Sequence, residues 1–181
     1  NPCSPKGVSH EAQCAVLEVE LSEQQSTLEL PMVRLLSVQS TSEIPLYFLA
    51  GGPGQAATDV VSALAMMHKD LLQKREVFFL DQRGTGVTGL HCNKDSGSNI
   101  ESTNEQGIFL DIRAEEVVQK CLSSLKFSPA DYSTDRAVED LEQLRQALGH
   151  ERIALYGVSY GTLVAQKYAQ RHPEALEALI L

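Results

Sequence analysis

Ile153-Ala-Leu-Tyr-Gly-Val-Ser-Tyr-Gly-Thr162 passes from a short apolar run into a Gly-x-Ser-x-Gly pentapeptide. The run 153–156 predicts a buried strand, and residues 163–171 have helical composition. A serine on a sharp turn between strand and helix holds its hydroxyl clear of the backbone, and flanking glycines let the two elements approach closely. We therefore predict that Ser159 is a nucleophile supported by Gly157 and Gly161. The alternative is an ordinary strand-to-helix turn.

Around this turn, strands and helices alternate. The short apolar runs 46–49, 77–80 and 178–181 predict further strands buried on both faces. Apolar residues recur at helical spacing within 117–125 and 137–148. This alternation predicts an α/β fold with a doubly wound, mostly parallel sheet.

The sequence also predicts edge strands, the two ends of one helix and a surface loop. Stretches 14–21 and 27–36 partly alternate apolar and polar residues, which predicts antiparallel strands at the N-terminal edge of the sheet. For helix 137–148, Ser133 or Thr134 is the expected N-cap and Gly149 lies just past the end. The polar stretch 93–107 is expected to be a surface loop.

A glycine-rich segment, Ala50-Gly51-Gly52-Pro53-Gly54, directly follows the predicted strand 46–49. Backbone without side chains can approach a substrate carbonyl, so we expect an oxyanion hole here. One donor is the N–H of Gly52, with that of Gly51 as the alternative, and the other is the N–H of Tyr160. A phosphate-binding loop would require Gly-Lys-Ser/Thr after the glycines, and that sequence is absent.

A second polar turn, Asp81-Gln-Arg-Gly-Thr-Gly86, follows the predicted strand 77–80. The carboxyl ends of parallel strands share one edge of a sheet, so this turn should lie beside the oxyanion segment. We expect Asp81 and Arg83 to form a charge pair that stiffens the turn, with direct substrate contact as the alternative.

Together, Gly51 to Gly54, the turn 81–86 and residues 155–162 resemble the prolyl aminopeptidase and tripeptidyl aminopeptidase family of α/β-hydrolases. Segments 135–148 and 168–173 are also similar to that family, so the resemblance covers most of the chain. It implies an α/β-hydrolase fold, of which residues 1–181 form the N-terminal part of one catalytic domain. The C-terminal strands and the cap would then lie elsewhere.

Two departures from the family pattern concern substrate preference. Ala50 stands where prolyl aminopeptidases commonly carry histidine, and Val87-Thr88 stands where serine often follows the turn. Neither change removes a catalytic atom. The cysteines and Tyr160 make the chain look closer to the secreted tripeptidyl branch.

Composition narrows the possible partners. The chain has 181 residues, 43% hydrophobic, and a formal net charge of -9. One domain, or one large part of a domain, fits that length. The acidic balance argues against nucleic acid, and no apolar run is long enough to span a bilayer, so a peptide or small-molecule substrate is expected.

The four cysteines form two groups, Cys3 with Cys14 and Cys92 with Cys121. Three pairings are possible, and the sequential one closes the shortest loops; four free thiols are the alternative. The spacing does not favour zinc, and we expect neither metal nor organic cofactor. Disulfides would indicate a periplasmic or secreted location.

The sequence contains no suitable catalytic acid or histidine to act with Ser159. In this fold the acid and then the histidine follow the serine, and the only later histidine, His172, lies at the far end of the same helix, roughly 20 Å away. The other histidines are expected to be surface or loop residues: His10, His68, His91 and His150. We therefore expect the acid, the histidine and the cap on a missing C-terminal segment or a second chain, and this chain alone to be inactive.

The expected reaction is that of a serine exopeptidase, in which Ser159 forms an acyl-enzyme with an N-terminal residue or short peptide. Two alternatives stay open. One is an esterase or lipase, because the acyl-transfer groups do not encode the leaving group. The other is a catalytically silent binding protein with the same fold.

Overall fold

The structure is a computed structural model that describes residues 1–22, 26–39, 43–89, 118–119, 122–123 and 128–181. The predicted Cys92–Cys121 bridge, the loop 93–107 and His91 lie outside these residues. Of the predicted helix 117–125, residues 118–119 and 122–123 are described, and they are helical.

In the part of the chain that the structure describes, seven strands form one sheet in the order β1-β2-β3-β5-β4-β6-β7. Their bounds are Pro2–Cys3 (β1), Ala12–Glu20 (β2), Thr27–Leu35 (β3), Leu46–Leu49 (β4), Val77–Leu80 (β5), Ile153–Gly157 (β6) and Leu176–Ile180 (β7). Strands β1, β2 and β3 run antiparallel to their neighbours. Strands β5, β4, β6 and β7 are parallel. The predicted mixed sheet with an antiparallel N-terminal edge is confirmed.

Among the described residues, four helices with fully described bounds pack on the two faces of this sheet: α1 (Val61–Met67), α2 (Lys69–Lys74), α3 (Thr134–Ala147) and α4 (Tyr160–Arg171). Single turns of 3-10 helix occur at Thr58–Val60, Gly86–Thr88, Pro129–Tyr132 and Pro173–Ala175. Alternate side chains of each buried strand enter opposite cores. Tyr47 packs with α3 and α4, whereas Phe48 packs with α1 and α2. The sheet is therefore doubly wound, as predicted.

The predicted signals for helix α3 are present in the structure. The Ser133 hydroxyl accepts a hydrogen bond from the Arg136 N–H at 3.4 Å, which makes Ser133 the N-cap. Gly149, two residues past the helix, has φ +69°, a conformation that glycine adopts without a Cβ penalty. The apolar face of α3 enters the core through Val138, Leu141 and Leu144.

The N-terminal edge carries a disulfide between Cys3 and Cys14, with the two Cα atoms 5.7 Å apart. This bridge joins β1 to β2 and confirms the first predicted pair. It lies among residues packed against the core that contains α1 and α2.

Three parts of the fold differ from expectation. Helices α1 and α2 have no counterpart in the predicted elements. Strand β7 begins at Leu176, earlier than predicted, and lies at the edge of the sheet with four of its five residues exposed rather than buried. Among the described residues, β6 is its only strand partner.

No helix in the described part of the chain is both long and apolar enough to cross a bilayer.

Candidate active site

The Gly-x-Ser-x-Gly turn is a strained connection between β6 and α4. Ser159 has φ 53° and ψ -118°, and it is the one non-glycine residue with positive φ in the described ranges. Such a conformation costs of order 1–3 kcal/mol and persists only where the surroundings enforce it. Helix α4 begins at the next residue, Tyr160. The N-terminal end of that helix therefore points its positive dipole towards the serine.

Both flanking glycines are required by close backbone packing. A Cβ on Gly157 would lie 2.6 Å from the carbonyl oxygen of Gly161. A Cβ on Gly161 would lie 2.2 Å from the carbonyl oxygen of Leu49, at the end of β4. Because neither glycine carries a side chain, β6 and α4 can approach each other closely enough to form the turn.

The glycine-rich segment after β4 lies against Ser159. A Cβ built on Gly51 would be 3.1 Å from the Ser159 Cβ, so the side-chain-free face of Gly51 is turned towards the serine. Gly52 and Gly54 have φ +107° and +105°, and the Gly52-Pro53 peptide bond is cis. The segment is thus where the sequence places it, beside the end of β6.

Two backbone N–H groups at this place have no acceptor within the described structure. The Gly51 N–H donates to the side-chain Oε1 of Gln55 at 3.3 Å. The N–H groups of Gly52 and Tyr160, by contrast, make no hydrogen bond to described residues. Unpaired N–H groups on both sides of a serine are what an oxyanion hole requires. Gly52 is thereby the better candidate of the two glycines considered.

The predicted pair between Asp81 and Arg83 is wrong. The Asp81 carboxylate accepts two hydrogen bonds from Thr58, at 2.8 Å from its N–H and 2.9 Å from its hydroxyl. The Arg83 guanidinium instead binds Asp140 on α3 through two contacts of 2.5 and 2.7 Å. Each residue therefore connects the turn to a different element.

Asp81 links the turn 81–86 to the exit of the glycine-rich segment. It is buried, and this burial raises the pKa of its carboxyl, while the hydrogen bonds from Thr58 oppose the rise. A Cβ on Gly86 would lie 2.7 Å from the Asp81 Oδ2, so glycine is needed at that position as well. The carboxylate thus packs between two loops that both reach the same edge of the sheet.

The Arg83–Asp140 ion pair is buried, with side-chain exposures of 5% and 4%. Arg83 also donates to the carbonyl oxygen of Asp131 at 3.4 Å, and the Asp131 carboxylate accepts from the Ser22 N–H at 2.9 Å. Burial raises the pKa of the Asp140 carboxyl, and Arg83 counteracts that effect. These contacts tie the turn to helix α3 and to the end of β2.

Sequence reasoning missed the roles of Thr58, Asp131 and Asp140. A signal for Asp140 was available, because it lies one residue before Leu141 on the apolar side of α3. A carboxylate on a buried helix face requires a charged partner. No comparable sequence signal marks Thr58 or Asp131.

A cavity of about 440 Å³ lies beside the candidate oxyanion hole. Its lining comes from the glycine-rich segment, the turn 81–86 and the start of α3, and includes Gly54, Gln82, Gly86, Tyr132, Ser133 and Tyr160. The Arg83 side chain also borders it, but the guanidinium is neutralised by Asp140. The cavity therefore presents uncharged polar groups beside Tyr160, the residue after Ser159.

No histidine or carboxylate of the described residues is hydrogen-bonded to the Ser159 side chain. His172 is the C-cap of α4 and is 3.9 Å from Glu139, at the opposite end of the helix from Ser159. His150 contacts the Tyr47 hydroxyl at 2.8 Å. No group of three or more potential metal ligands occurs in the described ranges.

Comparison with known proteins agrees with this architecture. Residues 44–181 match the sequence profile of the alpha/beta hydrolase fold. Serine protease Hip1 of Mycobacterium tuberculosis H37Rv is 24% identical over 142 residues, which cover 72% of this chain and 27% of that protein. Proline iminopeptidase of Xylella fastidiosa 9a5c is 27% identical over 137 residues, which cover 76% of this chain and 31% of that protein.

Among solved structures, a proline iminopeptidase-related protein of Thermus thermophilus is similar, with a TM-score of 0.55 and 26% identity. The match covers 92% of this chain and 44% of that one. The chain spans about a third or less of the length of these curated relatives. With the profile match over most of its residues, the chain belongs to the alpha/beta hydrolase fold family.

Proposed function

We propose that this chain carries the nucleophile and the oxyanion hole of a serine exopeptidase that removes N-terminal residues or short peptides. The observation that carries the proposal is the position of Ser159. It lies at positive φ between β6 and α4, with the Gly51 backbone facing it. Tyr160 directly follows it and Gly52 directly follows Gly51, and the N–H groups of both residues make no hydrogen bond to described residues. The names of two relatives, a serine protease and a proline iminopeptidase, support peptide chemistry.

In the proposed reaction, the Ser159 Oγ attacks the carbonyl carbon of the scissile amide. A histidine from outside these residues takes the hydroxyl proton and passes it to the leaving amine as the C–N bond breaks. The N–H groups of Gly52 and Tyr160 stabilise the oxyanion. Water then hydrolyses the acyl-enzyme and restores the serine.

The acid that orients this histidine is proposed to come from the same source, either a C-terminal segment of a longer polypeptide or a second chain.

The Cys3–Cys14 disulfide supports a further proposal, that the protein works in the periplasm or outside the cell, where disulfides persist.

The test uses the longest natural form of the protein that contains this chain. A fluorophosphonate probe should label Ser159, and Ser159→Ala should abolish labelling. Amides with a free N-terminus, with one to three residues before the scissile bond, should be hydrolysed faster than the same amides after N-acetylation. Turnover restricted to simple esters would instead indicate a carboxyl ester hydrolase, and failure to label Ser159 would indicate a silent binding protein.

A further inference from the structure

Gln55 lies one residue beyond the glycine-rich segment, and its side chain folds back over that segment. The Gln55 Oε1 accepts the hydrogen bond from the Gly51 N–H at 3.3 Å. Gln55 is exposed to solvent, so packing alone does not account for this position. The hydrogen bond to buried Gly51 is the polar contact that orients the side chain.

The Ser159 and Gln55 side chains both lie close to the side of Gly51 where a Cβ would be. The position of a Cβ on Gly51 is 3.1 Å from the Ser159 Cβ and 3.6 Å from the Gln55 Oε1. The side-chain amide therefore lies at the nucleophile's end of the segment. A charge at position 55 would be close enough to act on a substrate carbonyl bound to Ser159.

The remainder of the segment is anchored further along the chain. The two hydrogen bonds from Thr58 to Asp81 hold its exit, whereas Gly52 and Gly54 at the tip are exposed and have positive φ. Glycine backbone of this kind has many accessible conformations. The Gly51 N–H belongs to the peptide plane directly before the one that carries the Gly52 N–H, so a hydrogen bond that fixes the first plane limits the orientations open to the second.

We propose that Gln55 is a positioning residue for the oxyanion hole: its Oε1 holds the Gly51 N–H, and so aims the next N–H, that of Gly52, at the carbonyl oxygen of a substrate on Ser159. This rests on the proposed function. A neutral amide suits the position. A carboxylate would accept the same hydrogen bond but would place negative charge beside a developing oxyanion.

The experiment compares Gln55→Leu and Gln55→Glu in the full-length active protein. Gln55→Leu should lower kcat by about tenfold and leave KM within about twofold, since a misaimed donor weakens the transition state more than the bound substrate. Gln55→Glu should lower kcat further at pH 7. The ratio of its kcat to that of Gln55→Leu should rise as the pH falls through the ordinary glutamate range near about 4.3.

Gln170→Leu is the matched control, because Gln170 is a glutamine at the far end of α4 from Ser159. It should change neither kcat nor KM. A wild-type kcat in Gln55→Leu would overturn the proposal. A Gln55→Glu to Gln55→Leu ratio that does not change with pH would overturn it as well.

Hydrogen exchange separates failure of this proposal from failure of the proposed function. Gln55→Leu should speed amide exchange in a peptide spanning residues 50–56 by severalfold, whether or not Ser159 reacts with a fluorophosphonate. Unlabelled Ser159 in the wild-type protein would contradict the exopeptidase function. Unchanged exchange in Gln55→Leu would contradict the role of Gln55.

Discussion

The hydroxyl groups of Tyr160 and Thr134 lie 2.8 Å apart and form a hydrogen bond that joins the first residue of α4 to the first residue of α3. Tyr160 follows Ser159 directly, and its N–H is a candidate oxyanion donor. Its side chain therefore fixes the start of the helix on which that donor depends, and also lines the neighbouring cavity.

Replacing Tyr160 with Phe should lower the free energy of unfolding by about 1 kcal/mol, because a partly buried hydrogen bond contributes about that much. The backbone N–H is retained, so fluorophosphonate labelling of Ser159 should slow only severalfold. Urea denaturation and the labelling rate measure the two effects.

Thr134→Val provides the control for this bond, since it removes the other hydroxyl. If the hydrogen bond is responsible, the double variant should be less destabilised than the sum of the single variants. Additive losses would show that each hydroxyl acts independently of the other.

Gly161 should tolerate no side chain. A Cβ there would lie 2.2 Å from the Leu49 carbonyl oxygen, and backbone cannot yield as a flexible side chain does. Gly161→Ala should therefore destabilise the protein by about 3 kcal/mol or more and stop labelling of Ser159. Thermal unfolding and labelling of the soluble fraction would measure both.

Gly149→Ala is the comparison for that variant. Gly149 has φ +69°, but a Cβ there meets nothing within 4 Å. Its cost should be about 1 kcal/mol, from the backbone conformation alone. Equal losses for Gly149→Ala and Gly161→Ala would contradict the steric explanation.

Much of the fold could be predicted because the decisive signals are local. Strands β4 and β5 are apolar runs bounded by polar or glycine-rich residues, and their predicted bounds match the structure. Helices α1 and α2 were missed because each is short, with seven and six residues, and α1 ends in exposed Met66 and Met67. In α1 every residue except Ser62 is apolar, so no polar face marks a helical period, and α2 contains only Leu71 and Leu72 as apolar residues.

The backbone of the candidate site follows from local sequence as well, since glycine spacing around Ser159 reports a steric requirement of the turn. The partner of Arg83 does not. Asp140 is 57 residues away, and its selection over nearby Asp81 depends on how α3 packs against the turn. Side-chain pairing of this kind is decided by tertiary structure, which a charge pattern along the chain does not contain.

Arg83→Met should destabilise the protein by about 3–5 kcal/mol, because it leaves the Asp140 carboxylate buried without its counter-charge. The double variant Arg83→Met with Asp140→Leu should recover most of that loss, because both charges are then removed. Urea denaturation of the two variants measures the difference. A double variant as unstable as Arg83→Met would argue against an uncompensated carboxylate as the cause.

Glu142 should contribute to stability in a pH-dependent way. The hydrogen bond from Arg145 has the largest effect on the pKa of its carboxyl, and it is joined by hydrogen bonds from Tyr168 and Gln146. Together they lower this pKa to about 2, although desolvation by burial raises it. Because the pKa is lower in the folded state, the contribution is full above pH 4.5 and is lost as the pH falls towards 2.

Glu142→Gln should therefore reduce the free energy of unfolding by about 2 kcal/mol at pH 7, after allowance for solvent screening. The difference between the two proteins should narrow between pH 4.5 and pH 2. Urea denaturation at a series of pH values measures it. The exposed Glu139→Gln serves as the control, and a difference that stays constant with pH would contradict the assignment to Glu142.

Ser159→Gly should relieve strain at the turn and remove the nucleophile in the same step. Ser159 holds φ 53° and ψ -118°, which glycine adopts without a Cβ clash. Relative to Ser159→Ala, which keeps the Cβ, the glycine variant should be more stable by about 1 kcal/mol, even though glycine gains more entropy on unfolding. Neither variant should react with a fluorophosphonate. Urea denaturation gives the comparison, and a glycine variant no more stable than the alanine variant would mean that the surrounding backbone imposes no strain on the serine.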